Sequence, residues 1–334
     1  MQDRPLATPD RPATVLEWLL DADPAIRWQV LGDLADASPE VVAAERARVA
    51  TTGWGARLLA LQGEDGQWDG GALFPAWWRR AKKEERPPGQ PWTATAYSLV
   101  LLQDFGIDPG CERVRQAVAQ VREHCRWEHA GQPFFSGEVE PCINGMVVAL
   151  GAYFGQDVDG VVHRLVGEQL ADGGWNCEAE NGSVRSSFHT TIRVLEGLLA
   201  HEQATGGSAD SIAARRRGEA YLLERKLLRR KSTGELVDPA FVQLSYPTRW
   251  HYDVLRALDY FRVGRATGDP PDPRLDEAID VLRAKQRPDG TWLLEHTHPG
   301  VVHFTLDPGD GQPSRWNTLR ALRVLRWYER ARAG

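Results

Sequence analysis

A chain of 334 residues, 42% of them hydrophobic, is long and apolar enough to enclose a substantial core. Its net charge of −6, with both signs interspersed, excludes nucleic acid as the main partner, because a phosphate-binding surface needs a basic excess. No apolar run reaches the roughly 18 residues of a membrane span. The polar opening 1–12 lacks the apolar stretch of a signal peptide and reads as a flexible N-terminal segment.

The predicted elements come in pairs. A short outer helix at 14–20 precedes an inner helix at 26–34. Further pairs follow at 54–61 with 92–103, 113–125 with 144–154, 161–168 with 189–200, 212–230 with 250–261, and 275–285 with 316–328. In three pairs the first helix runs into one turn pattern: Gln62-Gly-Glu-Asp-Gly-Gln-Trp68, Gln169-Leu-Ala-Asp-Gly-Gly-Trp175 and Gln286-Arg-Pro-Asp-Gly-Thr-Trp292. Asp-Gly ends a helix because glycine accepts the left-handed conformation. The Trp is then placed to cover the helix end, and the Gln to bond the freed backbone groups.

The second helices are apolar nearly all round, as in Val194-Leu195-Glu196-Gly197-Leu198, which implies burial on both sides. The first helices carry the charges, as in Arg215-Arg216-Arg217, and form a solvated outer layer. The expected fold is all-α: an (α/α)6 toroid of six inner and six outer helices, as one domain over 1–334. An open superhelix is the alternative. Cys111, Cys125, Cys142 and Cys177 lack CxxC spacing and read as free thiols of a cytoplasmic protein.

The Gln-x-x-Asp-Gly-x-Trp pattern between paired helices resembles the QW repeat of squalene-hopene cyclases and prenyltransferase β subunits. That resemblance implies a toroid with a central apolar cavity whose mouth is ringed by the inner-helix N-termini. The Asp-x-Asp-Asp acid motif of the cyclases is absent. The related stretch Pro91-Trp92-Thr93-Ala94-Thr95-Ala96 keeps Thr-Ala and no carboxylate. The prenyltransferases hold one zinc with an Asp-x-Cys and a His at successive inner-helix starts. Glu140-Pro141-Cys142 and Phe188-His189-Thr190-Thr191 resemble these, so the implied metal ligands are Glu140, Cys142 and His189, with Zn2+ as the implied cofactor. Cys177 could replace or join Cys142, or be a loop thiol. No arginine or lysine set for a prenyl diphosphate stands before Glu140, and no separate α subunit is evident.

Glu138, His251 and Asp253 are candidate acid–base residues at the same mouth. Trp28, Trp92, Trp250 and Trp316 stand at inner-helix starts as candidate substrate-binding faces or as structural plugs. The insertions 70–90 and 296–312, the latter with His296, His298 and His303, are candidate lids. The expectation is an enzyme, prenyltransferase- or terpene cyclase-like, acting on a small apolar substrate of isoprenoid or polyketide type. The alternatives are a non-catalytic toroid that binds a lipid or protein partner, and a metal-free carboxylate-dependent cyclase.

Overall fold

A computed structural model describes residues 14–264 and 270–333, so the polar opening 1–12 lies outside the described residues. The regular elements of the described residues are helices with no strand; single β-bridges occur in turns and between loops. In chain order the helices are α1 Val15–Leu20, α2 Pro24–Asp33, α3 Pro39–Ala47, α4 Gly53–Leu59, α5 Ala76–Arg80, α6 Thr95–Asp104, α7 Glu112–His124, α8 Pro141–Tyr153, α9 Asp159–Gly167, α10 Phe188–Thr205, α11 Ala209–Leu223, α12 Val254–Gly264, α13 Asp276–Ala284 and α14 Arg315–Ala333.

The expected succession of helices is present, with two, α3 and α5, that the repeat does not predict. The stretch 212–230 is helical only to Leu223; the chain then turns and bridges Arg229 to Leu236. Trp92 and Trp250 precede their helices instead of opening them.

Local chemistry explains the helix starts. Pro24 stands in the first turn of α2, where its missing N–H costs nothing. Asp23 caps that turn by accepting from Ala25 N at 2.9 Å, and its other oxygen accepts from Trp54 N at 2.8 Å, which ties α2 to the start of α4.

The three Asp-Gly turns share one hydrogen-bond clamp. The Trp68, Trp175 and Trp292 indoles donate to the carbonyls of Leu58, Leu165 and Leu282 at 2.8, 2.7 and 2.8 Å, each near the end of the preceding helix. Their backbone amides donate to the hydroxyls of Thr95, Thr191 and Thr318 on the following inner helix, at 3.1, 3.1 and 3.0 Å. Gln62 and Gln169 donate both within their own turn and across to the next outer helix, at Ala117 and Ala214. All three indoles are fully buried.

Two intervening turns use a different device. Arg126 bridges to Pro133 and Arg229 to Leu236, each antiparallel. Trp127 stacks on Phe134 there, with ring centroids 4.9 Å apart.

α8 and α10 approach closely because glycines face each other. A Cβ on Gly197 would lie 2.3 Å from the Gly145 carbonyl oxygen, and one on Gly145 would lie 2.6 Å from that of Arg193. The last helix packs on the first inner one. Arg323 of α14 donates to Gln29 Oε1 at 2.8 Å, Arg326 to the Asp33 carbonyl at 2.8 Å, and Arg315 to that of Asp21 at 3.1 Å. On its other side α2 meets α6, where Gln29 and Trp28 donate to the carbonyls of Asp104 and Phe105 at 3.1 and 2.8 Å.

Candidate functional site

Between the inner helices lies a cavity of about 440 Å³. Its lining corrects the expectation of an apolar hollow. Six arginines (Arg46, Arg193, Arg249, Arg256, Arg320 and Arg323) face it together with three carboxylates, Asp104, Glu196 and Asp259. These residues sit one helical turn apart: Arg193 and Glu196, Arg256 and Asp259, Arg320 and Arg323. Such spacing places a charged stripe on the face of each helix that meets the chamber. The expectation of helices apolar all round rested on their mean composition, in which one such stripe is diluted.

The lining is divided into two walls. α10, α12 and α14 supply Arg193, Glu196, Arg256, Asp259, Arg320 and Arg323, and the loop before α12 adds Arg249. α2, α6 and α8 supply Trp28, Tyr97, Val100, Ala149 and Tyr153, with Asp104 as their one charged side chain.

The charged wall is partly paired. Glu196 accepts from Arg256 at 2.6 and 2.7 Å and from Arg193 at 3.2 Å. Asp259 accepts from Arg323 at 2.6 Å and Arg262 at 2.8 Å, with Arg320 at 3.9 Å. Burial pushes both carboxyls up, but these guanidiniums outweigh it and hold them below the usual range.

Arg249 differs. It is 7% exposed, stands over the Trp92 ring at 5.1 Å, and makes no side-chain hydrogen bond or ion pair among the described residues. Burial lowers its pKa to about 10. Its φ of 55° is left-handed, a strained choice for a long side chain. Arg249 also faces a second cavity of about 190 Å³, lined by Trp92, His298, His303 and Asp307, so its charge stands between the two spaces.

Asp104 ends α6 as an exposed residue that lines the chamber. Desolvation raises its carboxyl to about 6 in spite of Arg193, Arg320 and Arg256. Sequence reading did not single it out. The available signal was a carboxylate ending an apolar inner helix.

The expected mouth residues fall into separate places. Glu140 caps α8, Cys142 lies in its first turn, and Cys177 opens a short turn after Trp175. The ligand atoms of these three lie within 4.8 Å of one another. Cys142 Sγ donates to Glu140 Oε2 at 3.4 Å, and Cys177 Sγ lies 3.4 Å from Thr190 Oγ1. The neighbouring Cys142 lowers the pKa of Cys177, and Cys177 with burial raises that of Cys142. His189 stands outside this group; its Nδ1 accepts from Tyr252 N at 2.8 Å, and its ring meets Phe241, Trp250 and His251.

Glu138 accepts from the amides of Val139 and Glu140 in its own loop. Asp253 is 1% exposed and accepts from Ser245 N, Ser245 Oγ and Arg256 N. His251 is stacked between Trp250 and His298 at 3.6 and 3.7 Å. Burial and the neighbouring His298 lower its pKa to about 3, so it is neutral at physiological pH.

Trp28 and Trp316 line the chamber, Trp92 lines the second cavity, and Trp250 is 40% exposed, donating to Gln90 at 3.1 Å. His296 and His298 lie ring to ring at 4.9 Å, while His303 bonds Ser98 Oγ at 3.0 Å.

No family model and no curated protein matches the chain. Among solved structures it is similar to the type II terpene cyclase MstE from Scytonema. The complex of MstE with its substrate geranylgeranyl dihydroxybenzoate matches with a TM-score of 0.40 and 17% identity, over 92% of this chain and 87% of that chain. The apo form matches with a TM-score of 0.42 and 16% identity, over 93% and 87%. No described helix is long and apolar enough to cross a membrane.

Proposed function

We propose that the six inner helices close into an (α/α)6 ring and that the chain is a terpenoid cyclase-like enzyme. Its substrate pairs an apolar, isoprenoid- or polyketide-like body with an anionic group. The observation that carries this reading is the two-walled chamber. Five arginines against two carboxylates on one side favour an anion, and Arg249 offers a guanidinium without a hydrogen bond or ion pair among the described residues. The opposite wall of Trp28, Tyr97, Val100, Ala149 and Tyr153 offers apolar and aromatic faces to a hydrocarbon.

Asp104 is the proton donor in this reading. A carboxyl titrating at about 6 keeps a protonated fraction near neutral pH, as a general acid requires. A carbocation formed beside five arginines would be repelled. The reacting double bond therefore belongs along the aromatic wall, where ring faces attract a cation.

Titration calorimetry with geranylgeranyl diphosphate and with geranylgeraniol tests the binding half. The diphosphate is expected to bind at least roughly tenfold more tightly, about 1.4 kcal/mol, and Arg249→Gln to remove most of that advantage. Equal affinities for the two ligands would refute it. Turnover in D2O tests the chemical half: product should carry solvent deuterium. Tight binding without any product would leave a non-catalytic toroid that holds such a ligand.

A further inference from the structure

The group formed by Glu140, Cys142 and Cys177 takes no part in the chamber chemistry above. Its three ligand atoms come from the capping residue and first turn of α8 and from the loop ahead of α10, yet they lie within 4.8 Å of one another. One helix start and a loop converge there without any disulfide; both cysteines are free and half-buried, and Glu140 is exposed. We infer that Glu140, Cys142 and Cys177 form a metal site selective for zinc, with the fourth position open to solvent at the rim.

The choice of metal follows from the donors. Two thiolates select a soft or borderline ion and disfavour magnesium and calcium, which prefer an all-oxygen shell. Zinc takes sulfur and carboxylate oxygen in one tetrahedral shell, and three protein ligands leave one position for water or another ligand. Thr190 Oγ1, 3.4 Å from Cys177 Sγ, fixes the second sulfur from behind. This donor set differs from the one the resemblance implies, because Cys177 fills the place assigned there to His189.

The site stands apart from the chamber reading, so each can fail alone. The full chain, purified under reducing conditions without chelator, should contain one zinc per molecule by plasma mass spectrometry. Cobalt substitution should give thiolate-to-cobalt charge-transfer absorption and the strong visible bands of tetrahedral Co2+. Cys142→Ser and Cys177→Ser should each lose the zinc and the charge-transfer band, while His189→Ala keeps both. Circular dichroism reports whether each variant folds; where one does not, cobalt titration of the unaltered chain decides. A reduced chain that takes up neither metal overturns the inference, as does a folded Cys177→Ser variant that keeps its zinc. Loss of zinc in His189→Ala with retention in Cys177→Ser would return the site to the histidine set and overturn this one. Zinc content with no affinity for a prenyl diphosphate keeps this inference and removes the chamber reading.

Discussion

At Asp104 and Arg249 the protein holds charge where neighbouring side chains do not fully balance it. Asp104 titrates at about 6, above its ordinary 3.8, so the folded chain holds that proton more tightly than the unfolded one. This contributes stability that is complete below the unfolded value and is lost as the pH rises through about 6. Asp104→Asn removes the desolvated carboxylate. The variant is expected to melt higher than the parent at about pH 8, with the difference closing toward about pH 4, as thermal melts across that range would show. The same substitution should abolish turnover while leaving ligand affinity within a factor of about three, equivalent to roughly 0.65 kcal/mol. A variant that turns over normally would remove Asp104 as the acid.

At the scale of elements, the α8–α10 crossing depends on the absence of two side chains. A methyl group at Gly197 would meet the Gly145 carbonyl oxygen at 2.3 Å, which backbone cannot yield cheaply. Gly197→Ala is therefore expected to cost about 2–3 kcal/mol in chemical denaturation, although alanine is the better helix former. An unchanged midpoint would show that the two helices can part.

Much of this scale was legible in the sequence. The Asp-Gly turns marked three helix ends, and the threonines that receive the Trp amides lie in the predicted second helices. α3 and α5 were missed because they belong to no repeat and bury no residue fully. The chamber wall was missed for a different reason. Its charges recur at helical spacing on three inner helices, but each helix carries only two or three of them among apolar neighbours. The sequence offers Cys177 as a partner of Cys142 or as a loop thiol and does not choose between them, because its approach to Cys142 depends on how the loop from Trp175 folds back against Thr190 of α10.

For the whole molecule, α14 decides whether the architecture holds. Arg323 joins three helices: it bonds Asp259 of α12 at 2.6 Å and Gln29 of α2 at 2.8 Å from α14. Arg323→Met leaves Asp259 short of its nearest partner and unties α2, and should cost about 3 kcal/mol. Because the tie spans first and last inner helices, the loss should appear as one cooperative transition at a lower denaturant midpoint. Separate transitions for the two halves would argue against a single closed unit.

The alternation of turn types has a consequence for how such a chain is made. Clamped turns lead into α6, α10 and α14, and bridged turns lead toward α8 and α12, so the repeating unit is two helical hairpins. Two copies are complete, one from α4 to α8 and one from α9 to α12, and α13 with α14 repeats the clamped half. The bonds from Arg323 and Arg326 to Gln29 and Asp33 form only once α14 has been made, so that flank of α2 stays bare while the helices between the two are synthesised.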